Sequence, residues 1–115
     1  MTTADTLKAV NILEHYGYKA QREILVEECA ELIKAVSKLK RAENNEDTEK
    51  EHEALMNYIG EMVDVNVMLE QMFNALTPAL KAEYNKLITK KLDRQLERIK
   101  EEKESYEKWR EGVQA

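Results

Sequence analysis

Apolar residues recur along this chain at intervals of three and four, and that spacing predicts four helices. Leu7, Val10 and Leu13 mark the inward side of a short first helix over about residues 4–15. Gly17 breaks the pattern, so His15-Tyr16-Gly17-Tyr18 reads as a turn. Leu25, Leu32, Val36 and Leu39 define a second helix over about 20–42. The stretch 43–53 is nearly all charged or polar, with Asn44-Asn45 inside it. It reads as a loop or as a solvated helical extension. Tyr58, Val65, Met68 and Met72 carry a third helix over about 51–75. Thr77-Pro78 is a helix start, with Thr as N-cap and Pro at the first helical position. Leu80, Tyr84, Leu87, Ile88, Leu92, Leu96 and Ile99 follow at helical spacing. Beyond Lys100 the pattern thins to a charged helical extension, in which Tyr106, Trp109 and Val113 are the large apolar residues.

The expected fold is therefore all-α: an antiparallel bundle of about four helices in one domain over 1–115, with the extension starting near 100. Composition agrees. Three Gly, one Pro and 36% charged residues in 115 positions argue against a β-rich chain. A chain of this length builds only a thin core by itself.

Two pairs of carboxylates interrupt the apolar arcs. Glu28 and Glu31 lie on the second helix, and Glu61 and Asp64 on the third. Each pair has i,i+3 spacing and so shares a helix face. At 100° per residue, Leu25, Leu32, Val36 and Leu39 cluster around Glu28, and Tyr58, Val65, Met68 and Met72 flank Glu61. An ionised carboxylate in a dry core costs several kcal/mol unless it is compensated. Lysine offers little compensation. On the second helix Lys34 projects away from the arc and Lys38 sits near its edge, and Asn57, one turn before Glu61, is uncharged. A hard divalent cation is the simplest alternative. The candidate donors are all oxygen, which suits Mg²⁺ or Mn²⁺ and disfavours Zn²⁺. A di-iron site would require Glu-x-x-His motifs, whereas the only histidines are His15 and His52. Protein-bound Mg²⁺ commonly completes its shell with water and substrate phosphate. Lys90, Lys91, Arg94 and Arg98 on the fourth helix are candidates to grip such phosphates, or form a solvated face balancing Glu97, Glu101 and Glu102.

Net charge narrows the partners. A balance of −5 makes duplex nucleic acid an unfavourable partner. Cys29 is the only cysteine, so no internal disulfide forms; its place at the edge of the apolar arc suggests a buried thiol, and a reducing compartment fits. No apolar run reaches the roughly 18 residues of a membrane span, and Met-Thr-Thr-Ala-Asp does not open a signal peptide. The expected location is cytoplasmic.

Glu-Glu-x-x-Glu at 27–31 followed by Glu-x-x-Asp at 61–64 resembles the signature of the MazG-type all-α nucleoside triphosphate pyrophosphohydrolases. The context agrees, with Gln21 upstream and Leu25-Val26 leading into the acidic block. The resemblance covers about residues 17–99. It departs in the gap from Glu31 to Glu61, which is at or slightly beyond the long end of the family's range. The polar stretch 43–53 accounts for the excess.

The resemblance implies Mg²⁺-dependent cleavage of a nucleoside triphosphate to a monophosphate and pyrophosphate, with Mn²⁺ as a substitute ion. Glu28, Glu31, Glu61 and Asp64 would be metal ligands. Glu27 would be the base orienting the attacking water, a ligand to an additional ion, or a group supporting the ligands. From the residues themselves, Lys90, Lys91 and Arg94 are the candidates for substrate phosphate, and Gln21 and His15 are candidates for the substrate side. Tyr16, Tyr18, Tyr58 and Phe73 could stack on a base, though Tyr58 and Phe73 fit a core equally well. The resemblance also implies a homodimer or homotetramer that completes the bundle. Two alternatives stay open: a non-catalytic helical interaction protein, and a related hydrolase acting on a phosphoribosyl-nucleotide or a nucleoside diphosphate.

Overall fold

The computed structural model describes residues 1–114 and is all-α: four helices, with no strand among the described residues. They are α1 (Thr3–Tyr16), α2 (Tyr18–Glu43), α3 (Thr48–Asn74) and α4 (Pro78–Gln114). Each start has a local cause. The Thr2 hydroxyl accepts from the Asp5 N–H at 3.1 Å, while the Asp5 carboxylate accepts from the Thr2 N–H at 3.2 Å, so α1 opens on a reciprocal capping box. The Asp47 carboxylate accepts from the Glu49 and Lys50 N–H groups and starts α3. The Thr77 hydroxyl accepts from the Leu80 N–H, and Pro78 fills the first position of α4. Between α1 and α2 stands Gly17 alone, at φ 88°, donating its N–H to the Leu13 carbonyl at 2.8 Å. A side chain at that φ would be strained, so a glycine belongs there.

The polar stretch 43–53 resolves into three parts. Glu43 ends α2, residues 44–47 are the connection, and 48–53 form the first turns of α3. The Asp47 cap explains why so charged a segment begins a helix there.

The chain divides into two compact units, one over Met1–Leu76 and one from Thr77 onward. In the first, α2 and α3 form an antiparallel hairpin with α1 packed on both, more extensively on α3. Two contacts fix the register. Gln21 meets Gln71, and Glu28 meets Asp64, so a seven-residue step along α2 is matched by a seven-residue step back along α3. Seven residues are two turns, so the same face is presented at both levels.

The interior of this unit is small. Ala9, Ala35 and Met68 are its buried apolar residues, joined by Gln21 and Gln71. Leu25, Leu32, Leu39, Tyr58, Val65 and Met72 are half-buried around them. Two expected core positions are not core. Val36 and Leu7 are exposed, and their small neighbours Ala35 and Ala9 take the inward places. A methyl side chain permits closer helix approach than a branched one, and the helix phase settles on it.

The second unit is α4 itself, 37 residues long. It runs without a break through the segment beyond 100. Its stripe of Leu80, Leu87, Ile88, Leu92, Leu96 and Ile99 is exposed. So are Tyr106 and Trp109, whose ring centroids lie 5.8 Å apart. No described helix is long and apolar enough to cross a membrane.

Candidate metal centre on the α2–α3 hairpin

The antiparallel register brings the acidic residues of the two helices to one level. One carboxylate oxygen from each of Glu28, Glu61 and Asp64 lies within 4.8 Å of the others. Glu61 and Asp64 are one turn apart on α3, and Glu28 comes from α2. Glu28 and Glu61 are half-buried and Asp64 is exposed. The dry setting expected for Glu28 and Glu61 is thus not found. The apolar stripes flank these side chains without sealing over them, because half-buried Leu25, Leu32 and Tyr58 leave one side of the hairpin open to water.

The electrostatics follow from the crowding. Lost hydration raises the Glu28 carboxyl above its ordinary range, and the charges of Asp64, Glu61, Glu27 and Glu31 raise it further. Negative charge is therefore concentrated around Glu28 in the bare protein. A hard cation bound there would relieve that repulsion, and three carboxylate oxygens within a few ångströms match its donor preference. The residues fit Mg²⁺ or Mn²⁺ on those grounds.

Glu31 stands apart from the trio. Its carboxylate lies 3.7 Å from the Lys34 ammonium on the next turn of α2, with both side chains more than half exposed. Exposed pairs of this kind are weak. Glu27 is also exposed, one residue and hence about 100° round α2 from Glu28. It lends negative charge to the site without joining the trio.

Gln21, expected on the substrate side, has a different environment. It is buried, 6% exposed, and its Nε2 donates to Oε1 of Gln71 at 2.8 Å. Gln71 is 1% exposed and donates in turn toward the Met68 sulfur at 3.8 Å. The amide pair clamps the open end of the hairpin one heptad from the carboxylates. Gln71 was not singled out by its sequence. The available signal was its place seven residues beyond Asp64, on the same face of α3.

The remaining candidates are spread along the surface. Lys90, Lys91 and Arg94 are exposed on α4. Tyr16 packs edge-on to His15 at 4.6 Å, and the Arg22 guanidinium sits 5.6 Å from the Tyr18 ring centroid. Cys29 is a free thiol, half-buried where burial was expected, because it lies at the edge of the apolar arc. No family model, no curated protein and no solved structure matches the chain.

Proposed function

We propose that this chain is a Mg²⁺-dependent nucleoside triphosphate pyrophosphohydrolase of the MazG-like kind, acting in the cytoplasm on free nucleotides. The observation that carries the reading is the convergence of Glu28, Glu61 and Asp64, from two helices, to within 4.8 Å. The acidic blocks 27–31 and 61–64 supply the residues, and the antiparallel hairpin sets them face to face.

In this reading Glu28, Glu61 and Asp64 hold the ion. Glu31 joins them when its side chain leaves Lys34, a small cost for a solvated pair. When bound, the ion neutralises phosphate charge and lowers the pKa of water beside it. Glu27, exposed at the shoulder of the cluster, accepts the proton of the attacking water. The water oxygen bonds to the α-phosphorus, the α–β bridging bond breaks, and its oxygen leaves with pyrophosphate. Lys90, Lys91 and Arg94 serve the distal phosphates, where arginine can fork onto two oxygens. No side-chain nucleophile is needed.

The test is pyrophosphate release from a panel of nucleoside triphosphates in Mg²⁺ or EDTA. Release that needs Mg²⁺ and is lost in Glu61→Gln supports the reading. No release from any triphosphate overturns it. Cleavage confined to a nucleoside diphosphate or a phosphoribosyl-nucleotide would move the same chemistry to a different substrate.

A further inference from the structure

The carboxylate cluster lies between a covalent tie and a polar one. At one end of the hairpin, residues 44–47 join α2 to α3 through the backbone. Toward the other end, seven residues from Glu28 and seven from Asp64, Gln21 meets Gln71. Seven residues are about 10 Å of helix, whereas the sixteen from Glu28 to Asn44 are about 24 Å. The amide pair is the nearer tie to the site.

What lies between the ties repels. Oxygens of Glu28, Glu61 and Asp64 stand within 4.8 Å of one another, and Glu27 and Glu31 add charge beside them. Like charges this close push α2 and α3 apart when no cation offsets them. Apolar burial opposes separation but has no direction, so a contact through Ala35 and Met68 tolerates a helix that slides or tilts. The first helix touches both members of the hairpin, yet its bond from the Thr6 hydroxyl to Glu70 is longer, at 3.3 Å, and only half-buried.

The amide pair does have direction. Gln21 Nε2 donates to Gln71 Oε1 at 2.8 Å, and Gln71 Nε2 donates toward the Met68 sulfur at 3.8 Å. With its nitrogen on Met68, Gln71 presents its carbonyl oxygen to α2. Met68 in turn stands one helical turn beyond Asp64, so the network runs from α2 to the edge of the site. Both amides are buried, and water does not readily replace a bond lost between them. A slip of one residue, about 1.5 Å along the helix, breaks a bond of this length. Buried polar pairs cost stability relative to apolar ones and are best attested as devices that fix register. A metal centre gains from that, since its ligands must be held to within about 0.5 Å of the productive geometry.

We propose that Gln21 and Gln71 are positioning residues of the metal centre: their buried bond holds α2 and α3, against the repulsion of the carboxylates, in the register in which Glu28, Glu61 and Asp64 share a divalent cation. The proposal rests on reading the cluster as a Mg²⁺ site. Neither amide joins the cluster, and both act through the helices that carry it.

The test uses the full chain and needs no turnover. Gln21→Met/Gln71→Met keeps side-chain volume and removes the bond. By calorimetric titration with Mg²⁺ alone, its dissociation constant should rise about tenfold or more over wild type, with helicity unchanged by circular dichroism. Should the double variant fail to fold, Gln21→Asn, which keeps an amide but withdraws it by one methylene, carries the same expectation. A second measurement reads the helices directly. Spin labels at Lys19→Cys and Ala75→Cys, in a Cys29→Ser background and in EDTA, report the open end of the hairpin. Their separation should be narrow with the amide pair intact and longer or broader in the double variant. It should narrow again when Glu28→Gln is added, because repulsion is what spreads the helices. A pair that only adds stability would not show that return. Unchanged Mg²⁺ affinity in a folded variant, beside wild-type protein that binds the ion, overturns the proposal and leaves the metal reading intact. So does a separation that does not change, or one that Glu28→Gln leaves spread. Wild-type protein that takes up no Mg²⁺ overturns the metal reading, and the proposal with it.

Discussion

Gln21 on α2 donates a 2.8 Å hydrogen bond to Gln71 on α3, and the register this pair sets is the register in which Glu28 faces Asp64. The amide pair is buried, so its worth lies less in the bond formed than in the cost of leaving one amide unpaired. Gln21→Met should destabilise the protein by about 1–3 kcal/mol, because it strands the Gln71 carbonyl oxygen. The double variant Gln21→Met/Gln71→Met should cost less than the single one, since both desolvated groups are then removed. Denaturant unfolding of the three proteins measures this, and a double variant that sums two independent losses would show that the pair does not act as a pair.

That relationship also marks where the sequence was legible. Helix periodicity located all four helices, because a repeat of three and four over many residues has few other solutions. It placed Glu28, Glu61 and Asp64 on facing surfaces for the same reason. It did not distinguish Ala35 from Val36, or Ala9 from Leu7, as the inward residue. Hydrophobicity favours the larger side chain, while close helix approach favours the smaller. Nor did it show that Gln21 is buried, since an amide on an apolar arc reads equally as ligand or as core until its partner is known.

Glu31 stands apart from the other carboxylates, with its side chain beside Lys34, a side-chain direction that spacing does not encode. The segment beyond 100 is helical, as expected, because charged residues thin an apolar stripe without ending a helix. Glu, Lys and Arg are good helix formers, and no Gly or Pro intervenes before Gly112.

The acidic cluster should make stability depend on pH in a defined direction. The Glu28 carboxyl is raised in the folded protein, first by lost hydration and then by Asp64 and Glu61. The folded state therefore holds this proton more tightly than the unfolded one. The contribution is favourable below the ordinary carboxylate range and is lost as pH rises through the raised value. Glu28→Gln should accordingly stabilise the metal-free protein near neutrality, and the gain should vanish as pH falls through the carboxylate range. Melting curves from pH 4 to pH 8 in EDTA test this. A gain that does not change with pH would assign the effect to packing.

Neutralising single carboxylates should separate the trio from Glu31. On the proposed function Mg²⁺ should raise the wild-type melting temperature and support turnover, and Glu61→Gln and Asp64→Asn should lose both effects. Glu31→Gln should have the smaller effect on that rise, because the side chain is engaged with Lys34. Thermal shift titrations with Mg²⁺, against NaCl of matched ionic strength, provide the measurement. Equal losses in Glu31→Gln and Glu61→Gln would place Glu31 among the principal ligands.

Gly60 adjoins Glu61 inside α3, where a glycine serves either close packing or ligand approach, or is simply tolerated. A methyl group built there meets nothing within 4 Å, so neither α2 nor α1 requires the glycine. Gly60→Ala should raise stability by about 0.5–1 kcal/mol, the usual propensity gain within a helix. Chemical denaturation reads the gain directly. A loss instead would mean that something outside the protomer packs against this point of α3.

The basic residues of α4 should act through substrate and not through folding. Lys90, Lys91 and Arg94 are exposed, and a solvated cation adds little to stability. If they grip the distal phosphates, Arg94→Ala should weaken triphosphate cleavage by about 1.5–3 kcal/mol in kcat/KM, the scale of a lost charged hydrogen bond. Lysine at position 94 should restore only part of this, because it supplies charge without the two-pronged geometry of arginine. The melting temperature should stay nearly constant across the set. The loss should also be greater for a triphosphate than for a shorter phosphate chain, since the outermost phosphates carry the charge that these residues would meet. Unchanged kinetics in both Lys91→Ala and Arg94→Ala would instead leave this part of α4 as a solvated face, its cations balanced by neighbouring Glu97 and Glu101.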